Sequence, residues 1–506
     1  MTESNLPVLI VMIPLLVAAT LPMLGKSGNR AWFIATATTA ALFVISILIL
    51  RKIGGEGGVV THLMGNWKVP WGIELRIDSV NGFVTLIITG IAFVVTLGSR
   101  LSIQKEIPAD RLPIFYTIWL CCITGLIGIT VTGDMFNVYV LLEITSLATY
   151  ALIAMGKGAD RKALTASLNY LVLGTIGASF ILLGIGYLYM VTGTLNMADV
   201  SVELQKIYHS WHDGGSEHQK TLMAAFAFLA VGLFIKVGLF PLHAWLPNAY
   251  TYAPSAVSAL LSATATKVGA YITLRFFFTI LGAHLVFELI PTGTILLIMG
   301  CIAVLVGSYL AIRQTNLKRM LAYSSVAQIG YIAMGIGLAS ETGLTAGIIH
   351  LFNHAVIKGG LFLALAAFAC HVGKPELHRL AGMGRKMPFT MAAFTAGGLA
   401  LIGVPLTAGF ISKWYLVLGL VEKSLWTPAA VVLIGSLLAV IYVWRVVEVI
   451  YLHKPAEADA DVKEAPLSLV ISTWILVGAS IFFGVNATLT VKLAQQAAHV
   501  LLGGGL

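Results

Sequence analysis

Long apolar runs dominate the chain, and short polar segments separate them. A helix needs about 20 apolar residues to cross a bilayer, and fourteen runs reach that length. The runs do not alternate with polar residues, which excludes an outer-membrane barrel. The pattern predicts an all-α polytopic membrane protein with about fourteen transmembrane helices, at approximately 6–25, 31–50, 78–99, 112–132, 135–155, 165–192, 221–250, 255–281, 291–312, 320–338, 342–371, 388–422, 427–451 and 466–490.

Two of these spans are too long for one straight crossing, and prolines interrupt both. The seventh contains Pro241 and Pro247, and the twelfth contains Pro405 between Gly403 and Gly409. Proline removes a helical hydrogen bond, so both helices are predicted to be broken. The alternative is that the prolines only kink continuous helices.

The two predicted breaks are five helices apart, which divides the chain into two units of similar length. Because five is odd, the second unit enters the membrane from the opposite side, and the units are predicted to be inverted repeats, as in many transporters. The predicted divisions are N-terminal helices 1–3 (1–111), a first repeat of helices 4–8 (112–281), a second repeat of helices 9–13 (282–451), and a C-terminal loop with helix 14 (452–506).

Composition agrees with a membrane protein and excludes a soluble enzyme. Hydrophobic residues make up 58% of the chain and charged residues 10%, against about 25% charged in soluble domains. The net charge of +9 is assigned to cytoplasmic loops and not to nucleic-acid binding. The odd-numbered loops hold seventeen Lys and Arg and the even-numbered loops seven. The odd-numbered loops are therefore predicted to be cytoplasmic, and both termini are predicted to lie on the outer side of the cell membrane.

Ionisable residues inside the apolar spans are the strongest functional signal. Each costs at least about 2.5–3.5 kcal/mol at the centre of a helix unless it is paired or hydrated. Glu143 lies in the fifth span, Lys236 lies before the break in the seventh, and Lys267 lies in the middle of the eighth. Burial disfavours the charged form of a lysine and a nearby carboxylate favours it. Lys236 can therefore gain or lose a proton according to whether Glu143 is engaged.

The second unit continues this row of titratable groups. His350, His354 and Lys358 follow at intervals of four, which places them on one face of the eleventh helix. The unperturbed pKa of histidine is near neutral, so both histidines are candidate proton relays. Lys413 follows the second break and is a candidate terminal site, where we expect alanine to leave no buried partner unsatisfied.

Less specific interpretations of these residues stay open. Glu143 and Lys236 could form a purely structural ion pair. The two histidines have the spacing of a helical metal site but lack a third ligand. Lys358, His243 and Asp134 lie nearer to span ends or breaks and could extend to water. A membrane scaffold without transport would not need buried charges in both units.

No cofactor is predicted. The chain has no Gly-rich nucleotide fingerprint, no phosphate-binding loop, and no haem or quinone signature. It is therefore not expected to be an ATPase or to carry a redox group. A sodium site cannot be deduced, because the buried groups are mostly cationic.

Two long segments resemble the antiporter-like subunits shared by respiratory complex I and Mrp-type cation/proton antiporters. They are KVGLFPLHAWLPNAYTYAPSAVSALLSATATKVGAY (236–271) and NLKRMLAYSSVAQIGYI (316–332). The resemblance extends over all fourteen spans and implies proton transfer by ionisable residues on helices 5, 7, 8, 11 and 12. The matching residues here are Glu143, Lys236, Lys267, His350, His354 and Lys413.

Within this family the chain looks most like the D-type subunits of Mrp antiporters. Lys413 and the segment GDMFNVYVLLE, which ends at Glu143, carry that likeness. The resemblance implies a non-enzymatic component of a hetero-oligomeric antiporter that couples inward H⁺ flow to Na⁺ export. The alternative is a proton-pumping component of complex I or a membrane-bound hydrogenase, driven by electron transfer elsewhere.

Overall fold

The computed structural model describes residues 2–25, 27–55, 58–158, 160–212, 218–455 and 462–503. Lys26, one of the basic loop residues counted above, lies outside them, as do parts of the predicted C-terminal division (456–461 and 504–506). The first helices are α1 (Leu6–Leu24), α2 (Gly28–Gly55), α3 (Ser79–Gly98) and α4 (Arg100–Glu106). Three short strands, which the sequence pattern did not predict, form a small sheet: β1 (Thr2–Glu3), β2 (Val60–Leu63) and β3 (Glu74–Ile77).

Two series of helices follow. The first comprises α5 (Leu112–Val131), α6 (Met135–Ala154), α7 (Lys162–Thr192), α8 (Met197–His212), α9 (Gln219–Val237), α10 (Trp245–Tyr252) and α11 (Ser255–Leu274). The second comprises α12 (Thr292–Ile312), α13 (Leu317–Gly337), α14 (Glu341–Val372), α15 (Met383–Lys386), α16 (Pro388–Ile402), α17 (Ala408–Glu422) and α18 (Trp426–Leu452). The chain ends with α19 (Leu467–Val485) and α20 (Thr488–Leu501).

The prediction of a helical membrane protein is confirmed. Within the described ranges, thirteen helices are long and apolar enough to cross a membrane. The remaining predicted crossing is the twelfth, which the structure divides into α16 and α17, with 15 residues each. Each half is shorter than the roughly 20 residues that a crossing needs, so the break itself explains the difference between thirteen and fourteen.

Both predicted helix breaks are present and share one backbone geometry. α9 is followed directly by Gly238 and α16 by Gly403, with φ angles of +75° and +89°. In each case the N–H groups of the glycine and of the next residue donate to a single carbonyl, that of Phe234 or Leu399. This left-handed helix ending favours glycine, which has no Cβ to clash.

The helices before the breaks also correspond between the two series. Asp134 caps the start of α6, and its side chain accepts the N–H of the third helical residue; Asn316 caps α13 in the same way. Each capping residue also forms an antiparallel bridge with a residue that follows the next helix, Asn196 or Glu376. These repeated contacts show that α6 and α13 occupy corresponding places in the two series.

Three helices form the centre of the protein. In the spans of α11 and α13, 94% of an 18-residue apolar stretch is buried, and in α14 the buried share is 83%. The corresponding shares are 28% in α1 and 39% in α7. α14 packs against α11, α13, α16 and α17. The central helices therefore face protein on nearly all sides, and charged residues on them are shielded from lipid.

A buried ion pair joins the N-terminal helices to the first unit. Asp78, which caps α3, lies 2.5 Å from the guanidinium of Arg275, just beyond α11. Both side chains are less than one-tenth exposed. Arg275 also donates to the hydroxyl of Tyr271 at 3.1 Å. The end of the lysine-bearing helix α11 is thereby fixed against α3.

We predict that Arg275→Met destabilises the protein strongly, because it leaves the Asp78 carboxylate buried without its cation. The expected loss in the free energy of unfolding is about 3–5 kcal/mol, measured by equilibrium unfolding in detergent. The control is Lys374→Met, which removes an exposed ion pair with Asp160 and should change stability by about 1 kcal/mol or less. Equal effects of the two substitutions would contradict this account.

Candidate functional site

Lys236 lies in the last turn of α9, directly before the first break. Its side chain is buried, and its Nζ donates to the hydroxyl of Ser146 on α6 at 2.9 Å. Glu143 lies one turn before Ser146 on the same helix, and its carboxylate interacts electrostatically with Lys236. Among the ion pairs within 4.0 Å in the described ranges, none joins Glu143 to Lys236. The pairing of Glu143 with Lys236 could be predicted from the sequence, but the hydrogen bond from Lys236 to Ser146 could not.

Lys267 lies in the middle of α11 with no exposed surface. Its Nζ donates to the backbone carbonyl of Ser262, and the hydroxyl of Thr266 lies at 3.4 Å. Within the part of the chain that the structure describes, no carboxylate pairs with it. An ammonium group is thus held at the centre of the protein by neutral oxygen atoms.

The two predicted histidines lie on the face of α14 that is directed toward Lys267. Their ring centroids are 6.3 Å apart, and both interact electrostatically with Lys267. Nδ1 of His350 lies 2.8 Å from the hydroxyl of Ser412. Both ring nitrogens of His354 are buried and have no hydrogen-bond partner among the described residues. The row predicted from the sequence is therefore brought together across α11 and α14.

Lys358 belongs to the same face, and the interpretation that it extends to water is wrong. Its side chain has no exposed surface, because α14 continues for 14 residues beyond it. Its Nζ donates to the carbonyl of Leu321 at 2.6 Å and to the hydroxyl of Ser324, both on α13. The spacing from the two histidines was the signal that could have placed it in the row.

Lys413 lies on α17, after the second break, and binds the backbone that precedes the break. Its Nζ donates to the carbonyls of Leu401 and Ile402, at the end of α16, over 3.3 and 2.7 Å. It also donates to the hydroxyl of Ser436 at 3.0 Å and lies 4.9 Å above the ring of Tyr331. The carboxyl end of a helix carries partial negative charge, which favours a cation. The backbone carbonyls at the end of α16 thus stabilise the ammonium group of Lys413 in place of a carboxylate.

The other two ionisable residues near span ends stay outside this row. Asp134 caps α6 by accepting the N–H of Asn137 at 2.7 Å. His243 lies in the first break, where its ring stacks on Phe240 at a centroid distance of 5.2 Å. These contacts assign Asp134 a structural role and place His243 at the break.

The contacts of Lys413 also correct an expectation. Alanine there was expected to leave no buried partner unsatisfied, yet the carbonyls of Leu401 and Ile402 would lose their donor. We therefore predict that Lys413→Ala lowers both transport and the thermal stability of the protein. Lys413→Gln, which keeps an N–H donor on a side chain one bond shorter, should recover part of the stability and not transport, as measured by melting temperature and vesicle assays. Full stability of the alanine variant would contradict the bridging role.

Comparisons with known proteins identify a family and relatives of two kinds. The chain matches the family described as NADH:quinone oxidoreductase/Mrp antiporter, TM, over residues 132–440. It is 41% identical to the N-type subunit of the NADH-quinone oxidoreductase of Desulforudis audaxviator, over 89% of this chain and 87% of the relative. It is 28% identical to the D-type subunit of the Na(+)/H(+) antiporter of Bacillus subtilis, over 99% and 97%.

The fold is also found in a solved structure. A chain of the Mrp complex from Dietzia sp. DQ12-45-1b matches with a TM-score of 0.88 and 23% identity, over 98% of this chain and 97% of that one. The matched family segment, 132–440, begins before α6 and ends within α18, and so includes every residue of the buried row. The chain belongs to the NADH:quinone oxidoreductase/Mrp antiporter transmembrane family.

Proposed function

We propose that the chain is the proton-translocating subunit of a multisubunit cation/proton antiporter in the cell membrane. Inward H⁺ flow through the subunit would be coupled to Na⁺ export by the assembled complex. The observation that carries this proposal is the set of ionisable groups on α6, α9, α11, α14 and α17. Glu143 is half-buried, and the other members of this set are buried: Lys236, Lys267, His350, His354 and Lys413.

In this proposal, charge moves along the row in steps. Protonated Lys236 is stabilised when the Glu143 carboxylate is ionised and is destabilised when that carboxylate is engaged elsewhere. When Lys236 releases its proton, the loss of that positive charge favours the protonated form of Lys267. The ammonium group of Lys267 is held by neutral oxygens alone. His350 and His354 then carry the proton along α14, and Lys413 holds it at the second break.

Relatives of two kinds bear on the source of energy. The antiporter relative from Bacillus subtilis aligns with nearly the whole chain, which supports cation exchange. The relative with 41% identity is named as a component of an NADH-quinone oxidoreductase, which supports the second candidate. In that candidate, the same buried row pumps protons with energy from electron transfer in partner subunits. Either function places the chain in a hetero-oligomeric complex.

The two candidates differ in what starts proton movement. Everted vesicles that contain the complete complex should change internal pH on addition of Na⁺ without any electron donor, if the antiporter proposal is correct. The redox candidate requires NADH or another donor and is indifferent to Na⁺ alone. A pH-sensitive dye in vesicles from a host that lacks its own antiporters distinguishes the two. A response to the donor alone would reject the antiporter.

We predict that Glu143→Ala reduces proton movement at least tenfold while the complex still assembles. Glu143→Asp should keep part of the activity because it keeps an ionisable carboxylate at a shorter reach. The measurement is the initial rate of dye response, normalised to the amount of purified complex. As a control, Glu203→Ala removes an exposed carboxylate that pairs with Lys206 and should leave the rate unchanged. Normal transport by Glu143→Ala would remove this residue from the mechanism.

A further inference from the structure

The segment between α16 and α17 has a backbone that its own sequence does not favour. Leu406 has a φ angle of +71°, in the left-handed region that residues other than glycine rarely adopt. Its side chain is exposed, whereas the next residue, Thr407, is buried directly before α17. Strained backbone of this kind persists only where the surrounding structure fixes it. Contacts from neighbouring helices are therefore needed to hold the second break in place.

The last long helix, α19, meets the break backbone to backbone at Gly484. A Cβ at this position would lie 2.3 Å from the carbonyl carbon of Thr407 and 2.4 Å from its Cα. It would also lie 2.5 Å from the carbonyl oxygen of Leu406. Atoms that are not bonded to each other do not approach so closely. Only glycine at position 484 therefore allows α19 to support the break where it stands.

α14 holds the start of α17 from another direction. The buried side-chain amide of Asn353 donates to the carbonyl of Ala408, the first residue of α17. Next to it, the ring of Phe352 meets that of Phe483 edge-on at a centroid distance of 5.1 Å. Phe483 directly precedes Gly484, so α14, α17 and α19 meet at one place. We call Asn353, Thr407, Ala408 and Gly484 the break junction.

α19 is itself fixed against α14 about two turns before this junction. A Cβ at Gly359 would lie 2.8 Å from Cδ1 of Leu476, and a Cβ at Gly360 would lie 2.8 Å from Cγ2 of Val477. Two successive glycines on α14 thus allow the two helices to pack closely, as small residues do between membrane helices. α19 also packs against both α16 and α17. It can therefore act as a fixed support for the break.

The turn of α17 that follows the junction carries two contacts of the candidate site. The hydroxyl of Ser412 lies 2.8 Å from Nδ1 of His350. The adjacent Lys413 donates across the break to two carbonyls at the end of α16. Both contacts require the end of α16 and the start of α17 to keep one relative position. A shift of the backbone between them would change the surroundings of the lysine.

We propose that Gly484 and Asn353 are positioning residues for the Lys413 site. In this role α19, which follows both series of helices, supports the break from one side, and the amide of Asn353 holds the start of α17 from another. Neither residue exchanges a proton. They act through the backbone of the break, which sets the distance between Lys413 and its carbonyl partners. This inference rests on the proposed function, because it assigns the support of a group in the same site.

The test uses the complete complex in everted vesicles, energised by whichever driver, Na⁺ or an electron donor, works for the wild type. Gly484→Ala should lower the maximal rate at least fivefold with the apparent affinity for the driver unchanged. Gly478→Ala is the matched control on the same helix, because a Cβ there meets no other heavy atom within 4 Å, and it should stay within twofold of the wild type. Asn353→Ala should lower the maximal rate about threefold to tenfold.

Hydrogen exchange and a second substitution locate the cause of the loss. The amides of Gly403 and Val404 both donate to the carbonyl of Leu399 at the break. In Gly484→Ala these two amides should exchange at least fivefold faster, while the amides of α5 exchange as in the wild type. Adding Leu406→Gly to Gly484→Ala should recover at least half of the wild-type rate, because glycine gives the break freedom to move away from the added methyl group.

The outcomes separate this inference from the proposed function. A wild-type rate for Gly484→Ala, beside an impaired Glu143→Ala, would overturn the inference and leave the proposed function standing. Wild-type rates for both would reject the proposed function. A lowered rate for Gly484→Ala with unchanged exchange at the break and no recovery by Leu406→Gly would also overturn the inference. If Gly484→Ala does not assemble, an unaltered rate for Asn353→Ala overturns it.

Discussion

The constraint on which this structure depends is the cost of holding ammonium groups inside a membrane protein. Each charged group at the centre of a span costs at least about 2.5–3.5 kcal/mol unless something solvates it, and Lys236, Lys267, Lys358 and Lys413 are all buried. The protein meets this cost with carbonyl and hydroxyl oxygens from neighbouring turns of helix. A carboxylate beside a lysine favours the charged form, whereas neutral oxygens allow both the charged and the neutral form of a lysine.

The two helix breaks apply this solution in different ways. At the first break, a neutral group, the indole of Trp245, satisfies the carbonyl of Ile235, and the lysine in the same turn is directed toward α6. At the second break, Lys413 itself donates to the carbonyls at the end of α16. One backbone geometry thus supports a site tuned by a carboxylate in the first unit and a site tuned by backbone dipoles in the second.

Much of this architecture can be predicted from the sequence because it rests on local signals. Hydropathy locates the crossings, and the prolines and glycines around Pro241 and Pro405 locate the breaks. The contacts of the buried groups rest on tertiary packing instead. Ser146 resembles any small residue in an apolar run, and the depth of Lys358 depends on how far α14 extends. The carbonyls that bind Lys413 become available only because α16 stops at Gly403.

The central claim is that buried lysines change their protonation state during turnover, and Lys267 tests it most directly because no carboxylate pairs with it among the described residues. Arginine keeps the positive charge at any accessible pH, whereas lysine can release it. Initial rates of proton movement should be compared for Lys267→Arg and Lys267→Ala in assembled complex at equal protein amounts. The account predicts that the arginine variant fails almost as severely as the alanine variant. Retention of wild-type transport by Lys267→Arg would contradict it and would assign the lysine a fixed structural charge.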